Sequence, residues 1–225
     1  MNLRIILAYF TISFTFSSYA ADPAQVVQQP AEAQKFTTPQ SDPSDHSNNG
    51  QFFPEDIVLG NRTAKVVVVE YFAPTCPHCA YFHKEIYPKF KEKYIDTGKI
   101  AYVQREFINT KPDLDAAILA RCAGDVKRMV FYDVLLSQQQ SWAFNRNYMS
   151  VLTNIGSMGG VSPEQYQKCQ NDETLKNVLM ANTKLIARTP EFIGTPVFIL
   201  NNKMYKGGFS LEQLGQAIDN LANEK

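Results

Sequence analysis

Apolar side chains in this chain follow a strand rhythm in some stretches and a helical rhythm in others. Val66 to Tyr71 is a β-branched run of strand length, the pattern of a strand buried on both faces. Ile100 to Phe107 alternates, with Ala101, Val103 and Arg105 on one side and Tyr102, Gln104 and Glu106 on the other, and predicts a second core strand. A shorter strand is expected around Asp56 to Leu59. Strand character returns in Val197 to Leu200, followed by a tight turn at Asn201-Asn202 and a short return strand at Met204-Tyr205. Helical spacing in Ala80 to Tyr94 puts Phe82, Ile86, Phe90 and Tyr94 on one face, with a kink expected at Pro88 and an end at Gly98. Five further helical runs follow, Asp113 to Ala123, Asp125 to Leu136, Asn147 to Ile155, Pro163 to Gln170 and Thr174 to Arg188, with breaks expected at Gly124, Gly156, Gly159 and Gly160. Leu211 to Leu221 reads as a last helix. The pattern is α/β, with residues 111–190 wholly helical in character.

The first 50 residues differ in kind. Residues 1–20 carry one positive charge, Arg4, an apolar run from Ile5 to about Phe16, and small residues at Ser18 and Ala20, which predicts a secretory signal peptide cleaved after Ala20 or one residue later. The apolar run is short for a membrane span and no cysteine stands near the cleavage point to accept a lipid, so an exported, soluble product is expected. Residues 21–50 are Gln, Ala, Pro, Ser, Asp and Asn with almost no aromatics, too polar to offset the entropy of ordering; a disordered linker is expected, with His46 solvated in it. The chain has 22 basic and 22 acidic residues, and losing Arg4 leaves 21 against 22. That balance gives no reason to expect nucleic acid or an anionic membrane as partner. Four cysteines in an exported chain point to an oxidising compartment.

Two of them, in Cys76-Pro77-His78-Cys79, sit where the first long strand gives way to a helix. Pro77 suits the first turn of that helix, which puts Cys76 at the N-cap, facing unpaired backbone N–H groups and the positive end of the helix dipole. A thiolate is stabilised there, so Cys76 is expected to be the nucleophile, while Cys79, almost a turn further in, stays a buried thiol. A fall of roughly 3 to 4 units from about 8.5 would favour the reduced pair by on the order of 4 to 5 kcal/mol and make its disulfide the stronger oxidant. His78 is expected to donate to the same thiolate. A c-type haem site would need His in place of Ala80. Structural zinc would need further ligands at knuckle spacing; Cys122 and Cys169 stand alone, and only His83 is placed to add one. Cys122 and Cys169, near the ends of helical runs, read as a structural disulfide, the alternative being two buried free thiols.

The segment Glu70-Tyr71-Phe72-Ala73-Pro74-Thr75-Cys76-Pro77-His78-Cys79 resembles the active-site segment of the thioredoxin superfamily, and its Pro-His dipeptide resembles the DsbA-like thiol:disulfide oxidoreductases. The resemblance covers about residues 55–223 and is strongest at its ends. It implies a thioredoxin fold, with a core from residues 51–110 and 191–225 and an inserted helical domain at 111–190. It also implies that Thr195-Pro196 is the cis-proline loop facing the cysteines and presenting backbone to a bound peptide, and that Glu70 is the buried acid that takes the proton of Cys79. The activity implied is donation of a disulfide to unfolded exported proteins in the periplasm, without metal or organic cofactor and with reoxidation by a DsbB-type membrane quinone reductase; a monomer is expected, because residues 21–50 are too few and too polar to build the N-terminal dimerisation domain that isomerases of the superfamily usually carry. Threonine before the cis-proline also occurs in isomerase-like members, so an isomerase or reductase of the same superfamily is the alternative. A rival of another class is a non-catalytic exported module whose cysteines bind metal or form only structural bridges.

Overall fold

Strand β1 (Val58–Gly60) is a short edge strand, whereas β2 (Val66–Phe72) and β3 (Ile100–Glu106) are buried at every position and run parallel, Val66 opposite Ile100 and Phe72 opposite Glu106. Parallel neighbours need a crossover, and the helical stretch over residues 77–95 (α1) supplies it. Strand β4 (Val197–Leu200) pairs antiparallel with β2, and β5 (Lys203–Met204) with β4, giving the order β1-β3-β2-β4-β5. The structure, a computed structural model, describes residues 52–224; the expected signal peptide and linker, His46 included, lie outside the described residues.

Between β3 and β4 the chain forms α2 (Lys111–Cys122), α3 (Asp125–Ser137), the short α4 (Gln139–Trp142), α5 (Tyr148–Met158), α6 (Pro163–Gln170) and α7 (Glu173–Ala187), and after β5 it ends in α8 (Leu211–Asn223). Local chemistry starts these helices. Thr110 and Asp113 form a reciprocal capping box before α2, and Ser162, Asp172 and Ser210 cap α6, α7 and α8 through their side-chain oxygens.

The sheet's two faces have different partners. Val66, Val68, Ile100, Tyr102, Phe198 and Leu200 pack against Phe82, Phe90 and Tyr94 of α1 and Leu214 and Ile218 of α8. Val67, Val69, Tyr71, Ala101 and Val103 pack with Ile186 of α7. A fully buried valine or leucine of this kind contributes about 1.5–3 kcal/mol over its exposed state, and that two-sided cover is why β2 has no polar alternation. The helices between β3 and β4 build a further cluster around Leu119, Leu135, Trp142, Leu152 and Leu179, which Phe72 and Cys79 enter from the strand and helix of the cysteine segment. Of the aromatic and Met residues in this region, Tyr132 and Trp142 are buried and Met129 and Met149 partly so, while Phe144 is exposed.

Three local readings need correction. Pro88 does not simply kink α1: α-helical Tyr87–Phe90 is flanked by π turns at Phe82–Ile86 and Lys91–Ile95, which absorb the missing N–H without ending the helix. Gly156, expected as a break, lies inside α5, where a Cβ would come within 2.9 Å of Leu119 Cδ1. Its smallness lets α5 close on α2. The turn α4 had no counterpart in the sequence pattern.

Cys122 and Cys169, at the ends of α2 and α6, are joined by a disulfide with Cα atoms 5.9 Å apart and 47 positions between them. In the chain-entropy model a loop of that length is worth roughly 4 kcal/mol before strain. Replacing both by Ala should therefore lower the melting temperature while moving the potential of the Cys76–Cys79 couple by less than about 30 mV, the equivalent of about 1.4 kcal/mol. A larger shift in a redox titration would mean that the bridge acts on the Cys76–Cys79 pair.

Candidate active site

β2 ends at Phe72 and the chain turns through Ala73-Pro74-Thr75 into α1, with Cys76 as N-cap and Pro77 at the first helical position. Asp113, in the first turn of α2, accepts the Thr75 N–H at 2.8 Å through Oδ1. Gln139, on α4, donates from Nε2 to the carbonyls of Pro74 (2.8 Å) and Cys76 (2.9 Å). Two residues of the helical region thus hold the loop that carries Cys76. Neither was expected from the sequence. The Thr110-to-Asp113 spacing is a legible capping signal, but its second use at Thr75 is not, and Gln139 carries no local signal at all.

Cys76 and Cys79 are both free thiols; Cys76 is half-buried and Cys79 fully buried. Cys76 Sγ accepts the Cys79 N–H at 3.4 Å and lies 3.1 Å from the Thr195 carbonyl oxygen, a contact in which only the protonated thiol can donate. A hydrogen bond from the Cys79 thiol, then bonds from the Thr195 side chain and the Cys79 and His78 backbone N–H groups, outweigh burial and bring Cys76 from 9.0 down to about 6. His78 contributes through its backbone; its imidazole is exposed. Burial, then the Cys76 side chain and the Glu70 charge, push the Cys79 thiol well above its ordinary range. The two sulfurs are separated in acidity by position: one at a helix N-terminus, the other inside.

The pH consequence has a definite sign. Cys76 becomes thiolate as pH rises through about 6, so its alkylation by iodoacetamide should reach half its maximal rate near pH 6, with Cys79 unreactive until the fold opens. A half-maximum near 8.5, the free-cysteine value, would contradict this environment.

Thr195-Pro196 is joined by a cis peptide bond, and Gly194 before it has φ +146°, a conformation that L side chains rarely adopt. This loop brings the Thr195 carbonyl to Cys76. Beside the two lies a cleft of about 540 Å³ lined by Thr75, Cys76, Phe107, Phe192, Ile193 and Thr195 among others, none of them charged.

Glu70 is completely buried and points to the face of β2 covered by α1, opposite Gln104 in the β2–β3 register. Its carboxylate faces His83 Nε2 at 3.0 and 3.2 Å, accepts from Gln104 Nε2 at 3.2 Å, and accepts a close hydrogen bond from the Tyr102 hydroxyl. His83 is thus engaged by a carboxylate. Tyr102, Gln104 and His83 were not expected as partners of Glu70, although two polar residues on the same side of a core strand were the available signal.

Comparison with known proteins agrees with this geometry. A thioredoxin family model matches residues 53–220. A Rickettsia bellii protein provisionally named a protein-disulfide oxidoreductase is 53% identical over 170 residues, which are 75% of this chain and 65% of that protein. The crystal structure of Wolbachia pipientis α-DsbA1 superposes with a TM-score of 0.70 at 27% identity, over 78% of this chain and 95% of that one. Oxidised BdbD from Bacillus subtilis shares the fold, with a TM-score of 0.67 at 21% identity over 75% of this chain and 94% of that one. The chain spans 61–65% of the length of the Rickettsia relatives it matches. With a strand–turn–helix cysteine pair and a family match that runs through nearly all the described residues, the chain belongs to the thioredoxin family and has the fold of its DsbA members.

Proposed function

We propose that this protein is a thiol:disulfide oxidoreductase that introduces disulfide bonds into exported proteins by exchange through Cys76-Pro77-His78-Cys79. The observation that carries the reading is the Cys76 sulfur. It is solvent-reachable at a helix N-cap, its pKa is lowered to about 6, and it stands beside the Thr195 carbonyl, with Cys79 buried behind it. In the oxidised pair, a substrate thiolate attacks Cys76 Sγ and the electron pair leaves on Cys79. A second substrate thiolate then attacks the substrate sulfur of the mixed disulfide, forming the substrate's bond and releasing Cys76 as thiolate. Backbone at Thr195 is available to a bound peptide as an added strand edge. Glu70 serves as proton acceptor for Cys79 when the pair closes again.

The periplasm as workplace, a DsbB-type quinone reductase as reoxidant and a monomeric state belong to the same proposal. Among the described residues no helix is long and apolar enough to cross a membrane. Thr195 favours a second reading, disulfide isomerase, because its side chain hydrogen-bonds the Cys76 sulfur and affects how readily a mixed disulfide is released. The two readings separate in one assay pair. Oxidised protein should rapidly oxidise a reduced peptide with two cysteines and only weakly rescue a protein with scrambled disulfides; efficient rescue with slow peptide oxidation would select the isomerase, and neither activity would reject both.

A further inference from the structure

Cys79 must gain a proton when it leaves the disulfide and lose one when it re-forms it, yet it is completely buried, as is Glu70, the acid whose charge it feels. A proton handed to Glu70 still has to reach water. Tyr102 and Gln104 close the β3 side of Glu70, and Tyr102 is itself fully buried, so its hydroxyl gives a proton on Glu70 no contact with water.

The α1 side is different. His83 is 7% exposed, and its Nε2 faces both Glu70 oxygens. Its other ring nitrogen, Nδ1, is buried, has no hydrogen-bond partner among the described residues and lies 3.9 Å from Oδ1 of Asp133 on α3, whose side chain is 56% exposed. Imidazole is the side chain that can take a proton on one nitrogen and release it from the other. Here one nitrogen meets a buried acid and the other an acid in contact with solvent. The π turn at Phe82–Ile86 carries His83, and the Tyr87 ring, 4.7 Å from the imidazole, covers it.

We propose that His83 and Asp133 form a proton passage between the buried acid Glu70 and solvent, serving the step in which Cys79 gains or loses its proton. The inference rests on the oxidoreductase reading above. On closing, the Cys79 S–H proton passes to Glu70 and on through Nε2 and Nδ1 of His83 to Asp133. The Cys79 thiolate attacks Cys76 Sγ in the mixed disulfide, the Cys76–Cys79 bond forms, and the departing thiolate takes the electron pair. The mixed disulfide is the oxidant, so the electrons balance within the step. Partial burial raises the Asp133 carboxyl, with the His83 and Lys91 charges acting against that and Glu70 with it, which brings Asp133 nearer to a proton-exchanging range. The titratable and charged groups facing His83 are then Glu70 on β2, Tyr87 on α1 and Asp133 on α3, with Tyr102 on β3 bonded to the far side of Glu70.

The test separates two steps of one reaction. Reduced protein is mixed with excess glutathione disulfide, quenched in acid at intervals, and read by mass spectrometry for the Cys76 adduct and the closed pair. Adduct formation needs only the Cys76 thiolate; closing needs the Cys79 proton to leave. Asp133→Asn, at an exposed side chain that should not threaten folding, is expected to slow closing about tenfold, leave adduct formation within twofold of the parent, and recover with added imidazole buffer. Asp133→Glu should restore closing without buffer. Closing within twofold of the parent in Asp133→Asn, both steps slowed alike, or slow closing that imidazole does not rescue would each overturn the passage. If the parent itself forms no adduct or never closes, the oxidoreductase reading falls and takes this inference with it.

Discussion

Cys79→Ala should accumulate mixed disulfides with substrate peptides, and Cys76→Ala should trap almost none, a difference expected to exceed tenfold on a non-reducing, acid-quenched analysis. Acidity alone would not give this margin. At pH 7 a sulfur with pKa about 6 is about 90% thiolate and a free cysteine of pKa about 8.5 about 3%, a population advantage of about thirtyfold, but the lower pKa also weakens the nucleophile. With a Brønsted slope of about 0.4–0.5, those two and a half units cost more than tenfold. Leaving-group ability even points the other way, because Cys76 is the better leaving sulfur and would direct an incoming thiolate to Cys79. Burial decides. Cys79 is 0% exposed, so an approaching peptide reaches Cys76 alone, and in Cys79→Ala no internal thiol remains to release it. Comparable trapping by the two variants would sink the assignment of roles.

How much of this site is legible in the sequence depends on how local its physics is. The strand, the proline and the N-cap position of Cys76 are neighbours in the chain, and their chemistry can be argued without coordinates. Glu70 follows from the resemblance, but its partners do not, since Tyr102 and Gln104 reach it only through the β2–β3 register and His83 only through a π turn that no propensity encodes. Gly156 shows the same limit from the other side: a glycine in a helical run reads as a break, and only the nearness of Leu119 on another helix reveals it as a packing contact. Gln139 is the extreme case. Its amide spans from a four-residue helix to two carbonyls more than sixty positions earlier, and a lone glutamine carries nothing in sequence to announce that.

Glu106→Gln should cost about 3–5 kcal/mol, a large part of the 5–15 kcal/mol typical of a folded domain, and lower the melting temperature by on the order of 10 °C. Glu106 ends β3 and is 0% exposed; Arg121 of α2 donates to both its oxygens at 2.7 Å, and the Tyr132 hydroxyl makes a further close hydrogen bond. Burial alone would raise the Glu106 carboxyl, but the Arg121 charge and hydrogen bonds, helped by Arg128 and Tyr132, hold it at about 2. A folded-state value below the ordinary 4.5 gives stability that is complete above pH 4.5 and lost as pH falls through about 2. The parent should therefore lose melting temperature over that window, and Glu106→Gln, already destabilised, should lose less there. The large cost comes from leaving Arg121 buried without its counter-charge, not from the net worth of the pair, so replacing both at once, Glu106→Leu with Arg121→Met, should recover much of it. Function enters through geometry: Arg121 seats α2 on the end of β3, and Asp113 of the same helix holds the Thr75 N–H one residue before Cys76. If Glu106→Gln melts within about 2 °C of the parent at pH 7, less than 1 kcal/mol for a chain of this size, the pair is not what fastens the helical region to the sheet.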